Sequence, residues 1–267
     1  MSDQLTFSLL SSYYNFELIL IIFARIIGGI SLIPIWSSQN APTQTKIGLA
    51  FIISLLIYST GNVPDIAISS FIEFIFIVIR EVITGVIMSF VVYLFFSIFY
   101  FVGRLLDFQI GFSMLNVMDP MTNIQVSITG NLLFYVMAVF FVVSEGLNAF
   151  IYTLMHSYEV LPISGLKLIS NEALTMYFVQ IMTDFFVIGM GLSMPLIGTM
   201  LVVNVALGLL VKATPQMNVF VIGMPIKLFF GLIILYITAE FYQEVYNEFY
   251  YDMMEALQNV IYLMGSD

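Results

Sequence analysis

GRLLDFQIGFSMLNVMDPMTNIQVSITGN, residues 103–131, lies near the middle of a chain that is otherwise mostly hydrophobic helix. It is apolar in character but has no helical stripe. Phe112, Met114, Leu115, Val117, Met118 and Met121 mix with Gly111, Ser113, Asn116, Asp119 and Pro120. Gly111 loosens a helix and Asp119-Pro120 stops one, so the stretch reads as a long loop. A loop this long and this apolar is unusual. Left in water it would adhere to whatever it met, so it either packs on its own protein or fills an opening. Methionine adapts its shape to irregular gaps, and a Met-rich loop filling an opening is a plug.

The flanking chain sets the fold class. Of 267 residues, 61% are hydrophobic and only 9% are charged, where average soluble domains carry about 25% charge. This composition predicts an integral membrane-type protein, or a subunit buried in a membrane-associated assembly; the chain is read as all-α, one domain over 1–267, with about six hydrophobic helical segments. There is no cysteine, which removes disulfides, thiol nucleophiles and thiolate metal sites. A single histidine, His156, leaves no histidine metal cluster. No Ser/His/Asp set and no paired-carboxylate motif is visible. No catalytic residue, metal or cofactor is therefore expected, and the chain reads as non-enzymatic. A net charge of −10 opposes nucleic-acid binding. The opening MSDQLTFSLL has no basic n-region, so the first hydrophobic segment is expected to serve as its own insertion signal.

Six segments follow from hydropathy. The first, 16–35, carries Arg25 in its middle and ends at Pro34, with Trp36 as an interfacial anchor. A charge at a bilayer centre costs at least about 2.5 kcal/mol unless it is paired or shielded. The second, 47–58, is short for a span. The third, 71–102, is too long for one simple span; it carries Arg80-Glu81, and Gly85 and Ser89 form a flat face for close helix contact. The fourth, 132–155, contains Glu145-Gly146. The fifth, 173–211, contains Asp184, Pro195 and Asn204 and is expected to bend at Pro195. The sixth, 219–239, contains Pro225 and Lys227. The tail, 240–267, sets Glu240, Glu244, Glu248 and Asp252 on one helical face. Those acids form either a solvated face or the lining of an aqueous passage. Lys46, Arg104 and Lys212 against Lys167 favour both termini outside, in the periplasm.

Arg25, Arg80, Glu81, Glu145, Asp184 and Lys227 are ionisable groups within hydrophobic segments. Such groups mark an ion or solute path in a stand-alone transporter. They also suit subunit contacts, or pore-facing groups, in helices that meet other proteins and water rather than lipid. Arg80 and Glu81 are adjacent in sequence, so they point to different helix faces and are not expected to pair with each other.

At LGLLVKATPQMNVFVIGMPIKLFFGL, residues 207–232, the chain resembles the FliR/SctT family of type III export-gate proteins. The signature A-x-P-Q-x-N-x-F-x-I-G-x-P is carried by Ala213, Pro215, Gln216, Asn218, Phe220, Ile222, Gly223 and Pro225. DFQIGFSMLNVMDP is similar to the family's G-x-x-x-G-hydrophobic-DP region, with Asp107 where Gly is common. The wording VIGMP at 221–225 looks flagellar rather than like the virulence injectisome counterpart.

The resemblance implies a subunit of the flagellar export gate in the bacterial inner membrane, at the flagellar basal body. FliP-like and FliQ-like subunits would be its neighbours, and an FlhB-like subunit would wrap them. Unfolded exported proteins would be the cargo. About 1–182 would be a FliP-like unit, and about 183–250 a FliQ-like hairpin turning at 212–218. The plug would comprise Gly111, Phe112, Met114, Leu115, Val117 and Met118. Gln216 and Asn218 would line a passage, or serve turn chemistry alone.

Overall fold

The computed structural model describes residues 2–37, 42–60, 68, 70–112, 127–166, 172–214, 216 and 218–265, and for residues 2–15, 37, 219 and 220 only the backbone. All regular structure among the described residues is helical. In chain order the helices are α1 (Ser2–Ser31), α2 (Pro34–Ser37), α3 (Thr43–Thr60), α4 (Phe71–Ile110), α5 (Ile128–Val143), α6 (Gly146–Val160), α7 (Glu172–Ala213), α8 (Val219–Thr238) and α9 (Tyr242–Gly265). A 3-10 turn, Ala239–Phe241, joins the last two.

Three stretches are long and apolar enough to cross a membrane: Phe71–Ile110, Glu172–Ala213 and Val221–Gly265. The interrupted pair α5 and α6 makes a fourth if it counts as one span. Each of the six predicted hydrophobic segments is helical, and among the described residues length and composition support three or four of them as spans. Several segment boundaries also move. The first segment ends at Ser31, before Pro34, and Pro34 starts α2 instead. The fourth is broken at Ser144-Glu145. The fifth is one helix, Glu172–Ala213, with Pro195 inside it. The tail is one helix after the 3-10 turn, and Glu240, Glu244, Glu248 and Asp252 are all exposed.

The largest change is at the centre. Residues 103–110 continue α4, and 128–131 open α5, so the loop is shorter than the sequence pattern predicts. The pattern there misleads because Arg104 and Phe108 are exposed while Leu106 and Ile110 are buried, a helical alternation diluted by buried Asp107.

The chain forms two compact units. Unit 1 comprises Met1–Tyr93, Glu145–Val179 and Asp252–Asp267; unit 2 comprises Leu94–Ser144 and Gln180–Tyr251. In unit 1, Ile22, Ile26 and Ile30 recur every four residues and bury one face of α1. α1 and α4 approach closely. A methyl group on Gly85 would overlap the Arg25 carbonyl oxygen, and the Ser89 hydroxyl donates to the Gly28 carbonyl at 2.9 Å. The flat face expected at Gly85 and Ser89 is therefore the contact surface.

Unit 2 is centred on phenylalanines. Phe249 meets Phe99 with ring centroids 4.6 Å apart, and Phe96 meets Phe141 at 5.3 Å, both edge to face. Such pairs add about 0.5–1.5 kcal/mol beyond the burial of their area. Burial itself contributes about 1.5–3 kcal/mol per ring, so it dominates.

Candidate functional site

The two chain ends that flank the central segment are tied together within unit 2. Asp107 lies in the last turn of α4 and is 6% exposed. Its Oδ2 accepts from the Ser127 hydroxyl at 2.6 Å, and its Oδ1 accepts from the Thr129 backbone N–H at 3.1 Å. Ser127 is the N-cap of α5, and its hydroxyl oxygen accepts from Gly130 N–H at 2.9 Å. A carboxylate at the C-terminal end of its own helix is unfavourable, because carbonyl groups crowd there. Asp107 is instead placed at the positive N-terminal end of α5, where first-turn N–H groups need acceptors. The helices approach to backbone contact: a methyl on Gly103 would overlap the Gly130 Cα.

Beyond Asp107, Gly111 closes α4. Its N–H donates to the Asp107 carbonyl at 3.0 Å, and its φ is 98°. That conformation suits glycine and strains a residue with a Cβ. Gly111 and Phe112 are half-buried. Met114, Leu115, Val117 and Met118 of the expected plug lie outside the described residues.

A second cluster lies within unit 1. Arg25 Nε donates to Glu81 Oε2 at 2.5 Å, with the side chains 0% and 1% exposed. Arg25 Nη1 donates to the Ser157 hydroxyl at 3.1 Å and to the Leu161 carbonyl at 3.0 Å. The guanidinium carbon lies 4.0 Å from the centre of the Tyr158 ring. The Tyr158 hydroxyl donates to the Ile22 carbonyl at 3.2 Å. Glu81 Oε1 accepts from the Ser164 N–H at 3.0 Å, and neighbouring Arg80 donates to the Ser164 hydroxyl at 3.1 Å. Arg80 and Glu81 thus both reach Ser164, but the ion pair of Glu81 is with Arg25.

The other expected site residues are dispersed. Glu145 is exposed and adopts the left-handed conformation, with φ 60°, at the break between α5 and α6. Asp184 is exposed on α7, and Lys227 is half-buried on α8. Gln216 and Asn218 are exposed at the turn between α7 and α8. The Asn218 carbonyl accepts from Val221 N–H at 3.1 Å, which is turn and helix-start chemistry. His156 pairs with Glu159 at 2.9 Å on the surface. Sequence reasoning does not single out Ser127, Thr129, Ser157, Tyr158 or Ser164. Ser127 preceding the apolar run of α5 is a legible N-cap signal; Tyr158 and Ser164 carry no such signal.

The sequence matches the bacterial export proteins, family 1, from residue 16 to residue 253. The flagellar biosynthetic protein FliR of Bacillus subtilis (strain 168) is 26% identical over 94% of this chain and 96% of its own length. FliR of Escherichia coli (strain K12) is 27% identical, over 85% of this chain and 87% of its own. The surface presentation of antigens protein SpaR of Shigella flexneri is 28% identical, over 82% and 83%.

Proposed function

We propose a role for this chain from the premise that it belongs to the bacterial export proteins, family 1. It is a non-enzymatic subunit of a flagellar type III export gate in the bacterial inner membrane. With FliP-like and FliQ-like subunits it forms the passage for unfolded proteins, and an FlhB-like subunit wraps the assembly. About 1–182 acts as the FliP-like part and about 183–250 as the FliQ-like hairpin. Both termini face the periplasm.

The observation that carries this reading is the family match along nearly the whole chain. The tie between Asp107, Ser127 and Thr129, the neck of the central segment, supports the plug reading. Asp107, Ser127 and Thr129 hold the ends of the central segment together, so an apolar segment between them can seal without unravelling its supports. Phe and Met side chains there exclude water and ions, yet methionine remains displaceable by a passing chain. Arg25 and Glu81 pair inside unit 1, which suits a structural rather than a transport role for these two groups.

Native mass spectrometry of the tagged chain, expressed alone and with its neighbouring genes, tests the assembly. One copy bound to several copies of two small hydrophobic proteins is expected. A stable monomer or homo-oligomer under both conditions would refute the gate. Deleting 112–118 from the assembled gate should open an ion leak, and a tight deletion variant would remove the plug. Complementation of a flagellar and of an injectisome deletion strain decides between the two export systems, with motility the expected recovery.

A further inference from the structure

The buried pair of Arg25 and Glu81 is joined by one bond where its geometry allows two. On a guanidinium, Nε–H and one Nη2–H point side by side and match the two oxygens of a carboxylate. Here Nε meets Glu81 Oε2, but Nη2 is buried and has no hydrogen-bond partner among the described residues. A buried donor left unpaired is unfavourable, and more so on a charged group. The second carboxylate oxygen, Glu81 Oε1, instead accepts from the Ser164 N–H at 3.0 Å.

Ser164 is strained as well. It is the third residue of a turn closed by the Gly165 N–H, which donates to the Pro162 carbonyl at 2.8 Å. Its φ is 65°, whereas Ile163 before it has a negative φ. That combination is a type II turn, whose third position suits glycine or asparagine rather than serine. A type I turn keeps the same closing bond and differs chiefly in the peptide between its second and third residues, which is rotated by about half a turn. In this turn that peptide carries the Ser164 N–H. Flipping it returns Ser164 to negative φ, keeps the Pro162–Gly165 bond and leaves Ile163 and Leu166 in their buried places. The Ile163 carbonyl then replaces the Ser164 N–H in front of Glu81. Two acceptors repel, and Oε1 has the unpaired Arg25 Nη2 to turn to. Ser164 is half-buried, so its released N–H reaches water. Arg80, exposed, opposes the flip by donating to the Ser164 hydroxyl at 3.1 Å.

We propose that the 162–165 turn is a two-position latch worked by Glu81. In one position Glu81 holds the Ser164 N–H and meets Arg25 through Nε alone. In the other the Ile163–Ser164 peptide is flipped, and Glu81 grips Arg25 through both Nε and Nη2. Each position meets a demand that the other leaves open, which brings two arrangements of one sequence close in energy. The latch sits on the connection from α6 to α7, and α7 carries the chain from unit 1 into unit 2 at 179–180. Its position sets whether α4 grips the connection that leads into that helix. The inference does not rest on the export reading.

The test is amide hydrogen exchange of the full chain in detergent, resolved to single residues. The Pro162–Gly165 bond persists in both positions, whereas the Ser164 N–H is bonded in only one. Corrected for intrinsic rates, the Ser164 amide should exchange at least about tenfold faster than the Gly165 amide. Ser164→Gly favours the left-handed position, and Ser164→Val, branched at Cβ, disfavours it. Both lose the hydroxyl that Arg80 holds, so their difference isolates the backbone. Residue 164 should exchange at least about tenfold faster in the valine than in the glycine variant, with Gly165 alike in both. Equal protection at 164 and 165 in the unaltered chain, or residues 164 and 165 shifting together between the variants, would overturn the proposal. A second readout follows Arg25. Arginine-selective 15N labelling reports on Arg25, Arg80 and Arg104 alone. The Arg25 Nη2 protons should be better protected in Ser164→Val than in Ser164→Gly, and equal protection would show that Glu81 does not change partners and would also overturn it.

Discussion

Arg25 and Glu81 form a buried ion pair 2.5 Å long, between a residue of α1 and one 56 positions later in α4. Removing one partner leaves an uncompensated charge in a site that water does not reach. That loss is expected to cost about 3–5 kcal/mol, whereas replacing both partners by apolar residues of similar volume is far milder. Glu81→Gln and Arg25→Met should each lower the unfolding free energy of the purified chain, read from denaturant titration, by that margin. The double variant Arg25→Met, Glu81→Met should recover at least half of it. Equal losses in the double and the single variants would mean that the Ser157, Leu161 and Ser164 bonds, not the charges, carry the stability.

Gly85 is the tightest point between α1 and α4. Its missing side chain is what lets the Arg25 carbonyl and the Gly29 nitrogen approach, the latter lying 2.6 Å from where a methyl group on Gly85 would stand. Backbone atoms cannot step aside as a flexible side chain can, so Gly85→Ala should destabilise by about 1–3 kcal/mol and Gly85→Leu by more. Gly48→Ala is the control. A methyl there meets nothing within 4 Å, and alanine favours helix over glycine by about 0.8–1.0 kcal/mol. Thermal unfolding in detergent should show opposite shifts for the two alanine variants.

Glu145 adopts a left-handed backbone, φ 60° and ψ 22°, where it has no side-chain cap bond. That conformation costs an L-residue roughly 1–2 kcal/mol relative to glycine or asparagine, which tolerate it. Glu145→Asn is expected to be neutral or slightly stabilising. Glu145→Val, branched at Cβ, should lose about 2 kcal/mol more than Asn in the same unfolding assay. An equal response to both would show that the α5–α6 break is not held by this residue.

The fold class is legible because hydropathy alone separates a chain with 9% charged residues from a soluble one. Arg25 and Glu81 are each visible as costly charges in apolar segments. Their pairing is not, since it depends on which faces of α1 and α4 meet. The Gly85 and Ser89 spacing does announce a close contact, though not that Gly28 and Gly29 lie on its other side. The loop ends mislead for a physical reason. Gly103 and Asp107 look like helix-weakening residues in isolation, but here the first is a contact point and the second a cap for another helix. The break at Glu145 is hidden because glutamate is a good helix former, and only the neighbouring Gly146 hints at an interruption.

Asp107 provides the sharpest test of the neck. Its carboxylate receives the Ser127 hydroxyl and the Thr129 N–H, both buried. Asp107→Ala removes both acceptors and leaves a buried N–H unpaired, a loss of about 1–3 kcal/mol. Asp107→Asn keeps one oxygen and the shape, so its loss should be smaller. Asp107→Gly adds backbone freedom in the last turn of α4 and should be the worst of the three. If the neck only stabilises unit 2, ion leak in the assembled gate will be unchanged while the unfolding midpoint falls in the order Asn, Ala, Gly. If it also holds the seal, leak will rise in that same order, and Ser127→Ala will raise it as well, because that hydroxyl bridges Asp107 and Gly130. The second pattern is expected.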